Sequence, residues 1–406
     1  MIFNSNPLKK TRKAAVERLQ LAQKIYDYRR DILPEEDVSA LRRVIDKMRA
    51  LVKGKETTVD QFRAMEKEMD PVMKKTGGYF YPRNWIADNA EMLLFAAILA
   101  IGVRTFFLQP FKIPTNSMWP TYNGMTAEVY GEEGGPSFPV RIFRLATLGA
   151  QHFELEAPES GELFIDPSGE LVPGRKWLVI PTQKVRYTFY VGNSPLTVDL
   201  PLEFDIRQVW EPIMENEDFT FKTATNGHRL VSTGRRVEAG ESAVSFDLLT
   251  GDQLFVDRMS YHFRRPKVGE PIVFRTDNLE GIDRDNRGKY YIKRAVGGPG
   301  DTLELEPPGL KRNGEWNTGA EAFERNRLQE GQYPGYVFPS RNSQYPIPFW
   351  DGQQPLVIPE GHYFAMGDNS PNSADGRMWG LVPQREIVGR AIFIYYPFSH
   401  RWGLAE

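Results

Sequence analysis

A serine held between prolines is the first group in this sequence that could do chemistry. The block PFKIPTNSMWPTYNGM, residues 110–125, places Ser117 between Pro114 and Pro120, which restrict the backbone as suits a loop that presents a hydroxyl in fixed geometry. The chain contains no cysteine, so any nucleophile must be an oxygen or a nitrogen. A serine hydroxyl is unreactive until a base takes its proton. Taken alone, a serine in such surroundings is more typical of a surface loop.

Two later blocks carry further candidates. In YYIKRAVGGPGD, residues 290–301, strand alternation places Lys293 within an apolar strand, on the face opposite to its basic neighbour. A lysine is a base only when neutral, and burial in apolar surroundings favours that form. The turn-rich block GDNSPNSADGRMWGLVP, residues 367–383, contains Asp375 and Arg377. In isolation, an exposed lysine and an ion pair that holds a loop are the ordinary interpretations.

Composition excludes several other kinds of site. The 406 residues carry a net charge of only −2, which gives no overall attraction to nucleic acid, so we expect no nucleic-acid partner. The five histidines show no metal-ligand spacing, and no cysteine is present to ligate zinc, so we expect no metal and no cofactor. Chemistry by serine and lysine side chains remains.

The first part of the chain predicts a helical arm followed by a membrane helix. Residues 1–89 hold 19 Lys or Arg against 13 Asp or Glu, and their apolar positions follow helical spacing, with a helix start near Pro34. The uncharged run from Met92 to Val103 extends past Arg104 to Leu108. Its length alone is ambiguous, but Trp85, the snorkelling Arg104 and the basic flank favour a span over 90–109. The positive-inside bias places residues 1–89 in the cytoplasm.

After Gln109 the sequence is typical of antiparallel β structure. Short runs rich in Val, Ile, Phe and Tyr alternate with Gly and Pro, as in KVRYTFYVG, LTVDLPLEF, ESAVSFDLL, DQLFVDRMSYHF and EPIVFRTD. Helical periodicity is scarce beyond Leu108, and the segment 306–354 is typical of loops and short hairpins. We therefore predict a mainly β outer part.

Together the three blocks resemble the bacterial type I signal peptidases, which are serine proteases with a Ser-Lys dyad. Members run from a membrane helix through PF-x-IP-S/T-x-SM-x-PT to YIKRAVG-x-PGD and then to GDN followed by S-x-D-S-R-x-WG. This chain reads PFKIPTNSMWPT, YIKRAVGGPGD and GDNSPNSADGRMWG in the same order. The first two blocks are highly specific, and the matched pieces cover somewhat under a third of the chain.

The resemblance implies a role for each site residue. Ser117 is the expected nucleophile and Lys293 its general base, while the Ser117 amide and the Thr115 hydroxyl form the oxyanion hole. Ser373 is expected to hydrogen-bond and orient the lysine. The other implied residues are the loop-supporting Asp375 and Arg377, Tyr291 beside the dyad, and the substrate-pocket residues Phe111, Ile113, Pro114, Met118 and Ile292.

The implied activity is cleavage of signal peptides from exported pre-proteins after a small-x-small motif. The implied location is the bacterial inner membrane, with the lipid bilayer as a partner, the N-terminus in the cytoplasm and the catalytic domain on the periplasmic side. The implied fold is an antiparallel signal-peptidase-like β core formed by 110–125, 251–305 and 355–406. It follows one transmembrane helix and a helical arm.

The pattern departs from the family where about 125 residues, 126–250, separate the nucleophile block from the matching GDQLFV. We predict a folded, β-rich insertion there, and its role stays open between decorating the core, gating the cleft and binding a partner. Gly376 and Ser370 stand where the family commonly has serine and arginine.

Two rival interpretations stay open. A soluble self-cleaving protease of the Ser-Lys repressor class shares the β core, but the apolar run and the lack of a basic recognition helix count against it. A catalytically silent membrane-anchored β scaffold is disfavoured because Ser117, Lys293 and Ser373 are all retained in order.

Overall fold

The computed structural model describes residues 7–54, 56–82, 85–131, 134–176, 180–215, 221–223, 229–340 and 347–405. The chain divides into two compact units, Met1–Ile101 and Gly102–Glu406. Each unit is described by itself below.

The first unit contains three helices that pack on one another: α1 Pro7–Arg29, α2 Glu35–Lys53 and α3 Val59–Thr76. Apolar residues three or four apart put a stripe on each helix, and the buried stripes form one core with members such as Leu41, Ile45 and Phe62. Thr58 starts α3 with a reciprocal capping box to Gln61. The predicted helical arm is therefore confirmed.

Helix α4, Trp85–Phe106, follows. Its stretch Asn89–Phe106 is long and apolar enough to cross a membrane by length and composition, and none of it is buried. The side chain of Trp85, predicted to mark one end of the span, lies outside the described side chains.

The second unit is mainly β. Its strands are β1 Leu108–Lys112, β2 Thr126–Tyr130, β3 Gln151–Glu156, β4 Gly161–Lys176, β5 Ile180–Val191, β6 Ser194–Pro201, β7 Phe221–Thr223, β8 Arg229–Val237, β9 Ser242–Leu249, β10 Gln253–Asp257, β11 Pro271–Arg275, β12 Tyr290–Gly297, β13 Thr302–Glu306, β14 Gly309–Arg312, β15 Glu315–Trp316, β16 Leu356–Val357, β17 His362–Met366, β18 Val382–Pro383, β19 Ile387–Tyr396 and β20 Gly403–Leu404. Its helices are α5 Phe138–Leu148, α6 Arg207–Trp210, α7 Ser260–Phe263, α8 Glu321–Leu328 and α9 Gly376–Trp379.

An eight-stranded sheet carries the candidate site. Its strand order is β1-β10-β19-β11-β12-β17-β18, with β20 paired to β19, and the pairs are antiparallel. Strand β1 lies at one edge, whereas β12 lies in the interior with β11 and β17 beside it. The buried residues Ile272, Phe274, Ala295 and Trp379 form a core against this sheet. The predicted antiparallel β fold is confirmed.

Residues 126–249 add two further sheets, β2-β9-β3 and β6-β5-β4-β8-β7. They share one apolar core that includes Leu163, Phe189 and Phe246. A fourth sheet, β15-β14-β13-β16, lies within residues 302–357, where 341–346 are outside the described residues.

Among the described residues beyond Leu108, helical structure is scarce, as predicted, and two helices exceed a single turn or two. Helix α5 spans 11 residues and α8 spans eight. In α5 the side chains that face the protein at helical spacing are Arg141 and Arg144, not apolar residues. A search of the sequence for a buried apolar stripe therefore does not detect this helix.

Candidate active site

Ser117 lies in a short 3-10 turn, Asn116–Met118, that follows the edge strand β1. Asn116 braces this turn, because its Oδ1 accepts a hydrogen bond from Gly124 N at 2.8 Å and its carbonyl oxygen accepts one from Asn369 Nδ2 at 3.0 Å. Asn369 N also donates to the carbonyl oxygen of Ser117 at 3.1 Å. The serine is therefore held by contacts from distant segments and is only 9% exposed.

Lys293 lies on the interior strand β12 and is 5% exposed. Its Nζ is 2.5 Å from Ser117 Oγ, across 176 residues of sequence. Burial lowers the pKa of Lys293 from 10.5 to about 8, although the nearby Asp375 and Asp368 act in the opposite direction. A lysine with this pKa is neutral often enough near neutral pH to accept the serine proton.

Tyr291 packs beside this pair. The Nζ atom of Lys293 lies 5.8 Å from the centroid of the Tyr291 ring, which contacts Phe274 edge-on at 6.3 Å. Burial raises the pKa of Tyr291. The ring thus stays uncharged and forms part of the apolar surroundings that remove water from Lys293.

Asp375 and Arg377 form a buried ion pair. The Nε and Nη2 atoms of Arg377 donate to the two carboxylate oxygens of Asp375 at 2.8 Å each. The guanidinium also donates to Ser370 Oγ, Ser370 O and Val337 O at 2.6–2.7 Å. Asp375 Oδ2 accepts from Gly367 N at 3.0 Å. These bonds hold the loop 367–377 in shape, and Asn369 in the same loop bonds it to the nucleophile turn.

Ser373 lies in this loop, but its hydroxyl does not make the predicted contact. Its Oγ is buried and has no hydrogen-bond partner among the described residues, so the expected hydrogen bond to Lys293 is not formed. A Cβ on Gly367 would lie 2.2 Å from Ser373 Oγ and 2.3 Å from the carbonyl oxygen of Ser117. Ser373 therefore packs next to the nucleophile turn, and only glycine at 367 leaves room for both.

A second buried ion pair was not predicted. The Nε and Nη2 atoms of Arg294 donate to Asp368 at 2.8 and 2.6 Å, and Nη1 donates to the carbonyl oxygen of Gly269 at 2.7 Å. Thr121 Oγ1 donates to Asp368 Oδ2 at 2.5 Å. This network ties β12 to both site loops, 113–125 and 367–377. In the sequence, the one sign of this ion pair was that Arg294 is a second basic residue inside an apolar strand. Its partner Asp368 lies 74 residues away, so no local pattern joins the two.

A cleft of about 390 Å³ opens beside the Ser117–Lys293 pair. Among the predicted pocket residues, those that line it are Phe111, Ile113, Pro114 and Ile292, and Thr115 lines it as well. Met118 does not, because it is fully buried beneath the turn and packs with Tyr122 and Leu254. The structure therefore does not place Met118 among the residues that line the cleft. Cavities of about 470 and 700 Å³ elsewhere do not contain the pair.

Glu203 also lines the cleft, and sequence reasoning missed it. It lies in the turn after β6, within the segment predicted as an insertion. The two basic side chains Lys112 and Lys289 line the same cleft. Residues 126–250 therefore contribute a charged group to the site as well as their own core.

The part of the chain that the structure describes holds no group of three or more His, Cys, Asp or Glu side chains that could bind a metal ion. The chemistry available in the cleft is that of a hydroxyl beside a buried amine, with polar backbone and hydroxyl groups nearby.

Comparison with known proteins shows where this arrangement recurs. Residues 229–396 match the family described as "Signal peptidase, peptidase S26", a range that includes Lys293 and Ser373 but not Ser117. "Probable signal peptidase I-1" of Synechocystis is 36% identical over 38% of this chain and 66% of its own length, slightly less than two thirds. "Signal peptidase I" of Aquifex aeolicus is 31% identical over 37% of this chain and 70% of its own length.

A signal peptidase I of known crystal structure, from Enterococcus faecalis, is 28% identical to the matched part and covers 31% of this chain and 97% of its own, with a TM-score of 0.22. The assignment rests on the sequences. With 70% of the Aquifex protein covered at 31% identity, the chain belongs to the signal peptidase I family of S26 peptidases.

Proposed function

We propose that this protein is a serine endopeptidase that removes signal peptides from exported pre-proteins, with Ser117 as nucleophile and Lys293 as general base. The observation that carries the proposal is the 2.5 Å contact between Lys293 Nζ and Ser117 Oγ, in which the lysine is buried and has a pKa of about 8. Membership of the signal peptidase I family supports the same activity.

The first half of the reaction forms an acyl-enzyme. Neutral Lys293 takes the proton of Ser117 while Oγ attacks the carbonyl carbon of the scissile peptide bond. The C–O bond forms, and the carbonyl electron pair moves onto oxygen. When the tetrahedral intermediate collapses, the C–N bond breaks and the ammonium of Lys293 gives its proton to the leaving amine. The lysine is then neutral again.

Lys293 next takes a proton from water, whose oxygen attacks the ester carbon. The bond between that carbon and Ser117 Oγ then breaks, the ammonium of Lys293 returns its proton to Oγ, and the signal peptide leaves with a free carboxylate. In both halves the Ser117 amide and the Thr115 hydroxyl are the proposed donors to the oxyanion. Thr115 lines the cleft two residues before the nucleophile, which supports this role.

The substrate would bind as an extended strand. Strand β17 pairs with β12 only from Arg294 onward, so in the described structure Tyr290–Ile292 has one edge without a partner strand, and that edge borders the cleft. Backbone groups there can pair with a peptide, while alternate side chains enter the cleft. The floor of Ile113, Pro114 and Ile292 is apolar.

The proposed preference of the cleft is for small side chains. The centroids of the Phe111 and Tyr290 rings lie 5.0 Å apart, so these two lining side chains pack together and join the end of β1 to the start of β12. Signal peptides carry small residues at the first and third positions before the cleavage site. Cleavage after a small-x-small motif is therefore the proposed specificity.

Helix α4 is the proposed membrane anchor. Its stretch Asn89–Phe106 can span a bilayer, and residues 1–89 carry the excess of Lys and Arg that marks a cytoplasmic segment. The second unit would then lie on the periplasmic side of a bacterial inner membrane, where exported pre-proteins emerge.

The test is cleavage of purified pre-proteins by the detergent-solubilised full chain, with the product ends read by mass spectrometry. We expect one cut after a small-x-small motif, and no cut by the Ser117→Ala or Lys293→Met variants. Lys267→Met, at an exposed lysine outside the cleft, is the matched control and should cleave normally.

A folded parent that is inert on several pre-proteins would favour the catalytically silent scaffold instead. Full activity in either dyad variant would remove the proposed mechanism while leaving the family assignment in place.

A further inference from the structure

Helix α5 exposes its apolar side chains rather than burying them. None of its residues is buried. Five large apolar side chains are between 44% and 73% exposed, namely Phe138, Val140, Ile142, Phe143 and Leu145. A surface helix of a soluble domain normally shows the opposite arrangement, with its apolar stripe against the core.

The charged residues of α5 face the protein. Arg144 donates to Asp247 at 2.7 Å and to Glu128 at 2.5 Å, and Arg141 donates to Glu154 at 3.1 Å. Asp247 is almost fully buried and is bonded to His152 and Tyr130 as well. Paired arginines thus fasten the helix to the sheet β2-β9-β3, and its outer face carries no charge.

A second segment, 396–404, is bonded to the end of α5 and also exposes apolar side chains. Phe398 N donates to the carbonyl oxygen of Thr147 at 2.9 Å, and the Tyr396 hydroxyl donates to that of Leu145 at 3.2 Å, so the segment is attached to the end of α5. The exposed apolar side chains that it adds are Phe398, Trp402 and Leu404. Arg401 points inward to Asp252 at 2.7 Å. We call α5 and this segment together the apolar platform.

A cluster of exposed apolar side chains of this kind marks a contact with lipid or with a partner. The chain itself indicates lipid. A single residue, Phe107, separates the helix that can span a bilayer from strand β1 of this unit, so the unit is tethered at a membrane surface if α4 is anchored as proposed. Tethering raises the effective concentration of lipid, so that modest apolar burial is enough for binding.

We propose that the apolar platform is a membrane-binding surface, in which α5 lies in the interface of the bilayer with Phe138, Ile142 and Phe143 among the acyl chains. Because the arginines are already paired inward, binding depends on apolar burial rather than on attraction to anionic lipid. The platform holds the second unit at a fixed height on the membrane. This inference rests on the proposed anchoring and is independent of the proposed catalysis.

The experiment uses the full chain in phosphatidylcholine vesicles. Because the protein has no cysteine, Phe143→Cys and Phe138→Cys each provide a single site for an environment-sensitive fluorophore, and both positions are exposed, so neither change disturbs the core. The exposed position Glu170→Cys on β4 is the matched control. Quenching is measured with nitroxide-labelled acyl chains and with aqueous iodide, at low and high salt.

We expect acyl-chain nitroxide to quench labels at 143 and 138 at least about twofold more than the label at 170, with iodide showing the reverse order and salt having no effect. Equal iodide quenching at all three positions would overturn the proposal. Protection from both quenchers would also overturn it, since it would mean that a second copy covers the platform. Flotation of the vesicles reports the anchor separately, and a chain that does not float would refute both the anchoring and the platform.

Discussion

The pH dependence of cleavage is the sharpest consequence of burying Lys293. Only the neutral amine can accept the serine proton, so kcat/KM below the pKa should follow the neutral fraction. With a pKa of about 8, that fraction is about 1% at pH 6, about 10% at pH 7, about 50% at pH 8 and about 90% at pH 9. We therefore expect kcat/KM to rise about tenfold from pH 6 to 7, about fivefold from 7 to 8 and less than about twofold from 8 to 9.

A lysine at its ordinary pKa of 10.5 would give a different curve, with an increase of about tenfold per pH unit through pH 9 and no plateau. The assay is initial-rate cleavage of a fluorogenic signal-peptide substrate by the detergent-solubilised chain, with circular dichroism at each pH to verify folding. Binding of substrate at each pH is followed with the Ser117→Ala variant, which separates titration of the base from titration of the cleft.

Two results would refute this reasoning. A flat profile from pH 6 to 9 would mean that no group titrating in this range limits the reaction. A rise that continues undiminished to pH 10 would mean that burial does not lower the pKa of Lys293 in solution.

Three further changes test the surroundings of the dyad. Lys293→Met should stabilise the fold at pH 6, because the buried ammonium costs about 3 kcal/mol for a pKa lowered from 10.5 to about 8. Between pH 8 and pH 10.5 the unfolded chain binds more protons than the folded chain, so the free energy of unfolding of the parent rises with pH. In urea unfolding, the extra stability of the variant should therefore fade by about pH 10.5. An equal difference in unfolding free energy between variant and parent at both pH values would contradict this. Gly367→Ala should lower kcat about 100-fold, because the added Cβ would lie 2.3 Å from the Ser117 carbonyl oxygen and must shift the nucleophile turn. The control is Gly131→Ala, whose added Cβ meets nothing within 4 Å and should leave kcat unchanged. A normal kcat in Gly367→Ala would show that the turn adapts to the extra methyl group. Thr115→Val should lower kcat by about two to three orders of magnitude with little change in KM, because one donor to the oxyanion is lost. Thr115→Ser keeps a hydroxyl and should retain most of the parent kcat. Equal kcat values for the two variants would argue against a hydroxyl donor at this position.

The amino-acid sequence alone determined the features that depend on short-range pattern. Period-two alternation predicted the β strands, helical spacing predicted the arm, and an uncharged apolar run predicted the candidate span before β1. The three specific blocks around Ser117, Lys293 and Asp375 pointed to the family and to the site residues, because each block is a local run whose order along the chain can be compared directly.

What only the tertiary structure decided is which side chains lose contact with water. Alternation placed Lys293 and Arg294 on opposite faces of one strand, yet both are buried, because segments from 368 to 379 and the nucleophile turn cover the two faces of β12. That burial sets the pKa of Lys293 and pairs Arg294 with Asp368. Distant neighbours also decide that Met118 is buried in the core, where it packs with Leu254.

Helix α5 shows the limit of sequence pattern most clearly. Its arginines are spaced as an amphipathic helix requires, but their partners Asp247, Glu128 and Glu154 lie on three different strands. Only the fold brings those carboxylates to one side of the helix and thereby turns its apolar residues outward. Polarity along a sequence specifies that a helix has two faces, and the location of the opposite charges decides which face meets the protein.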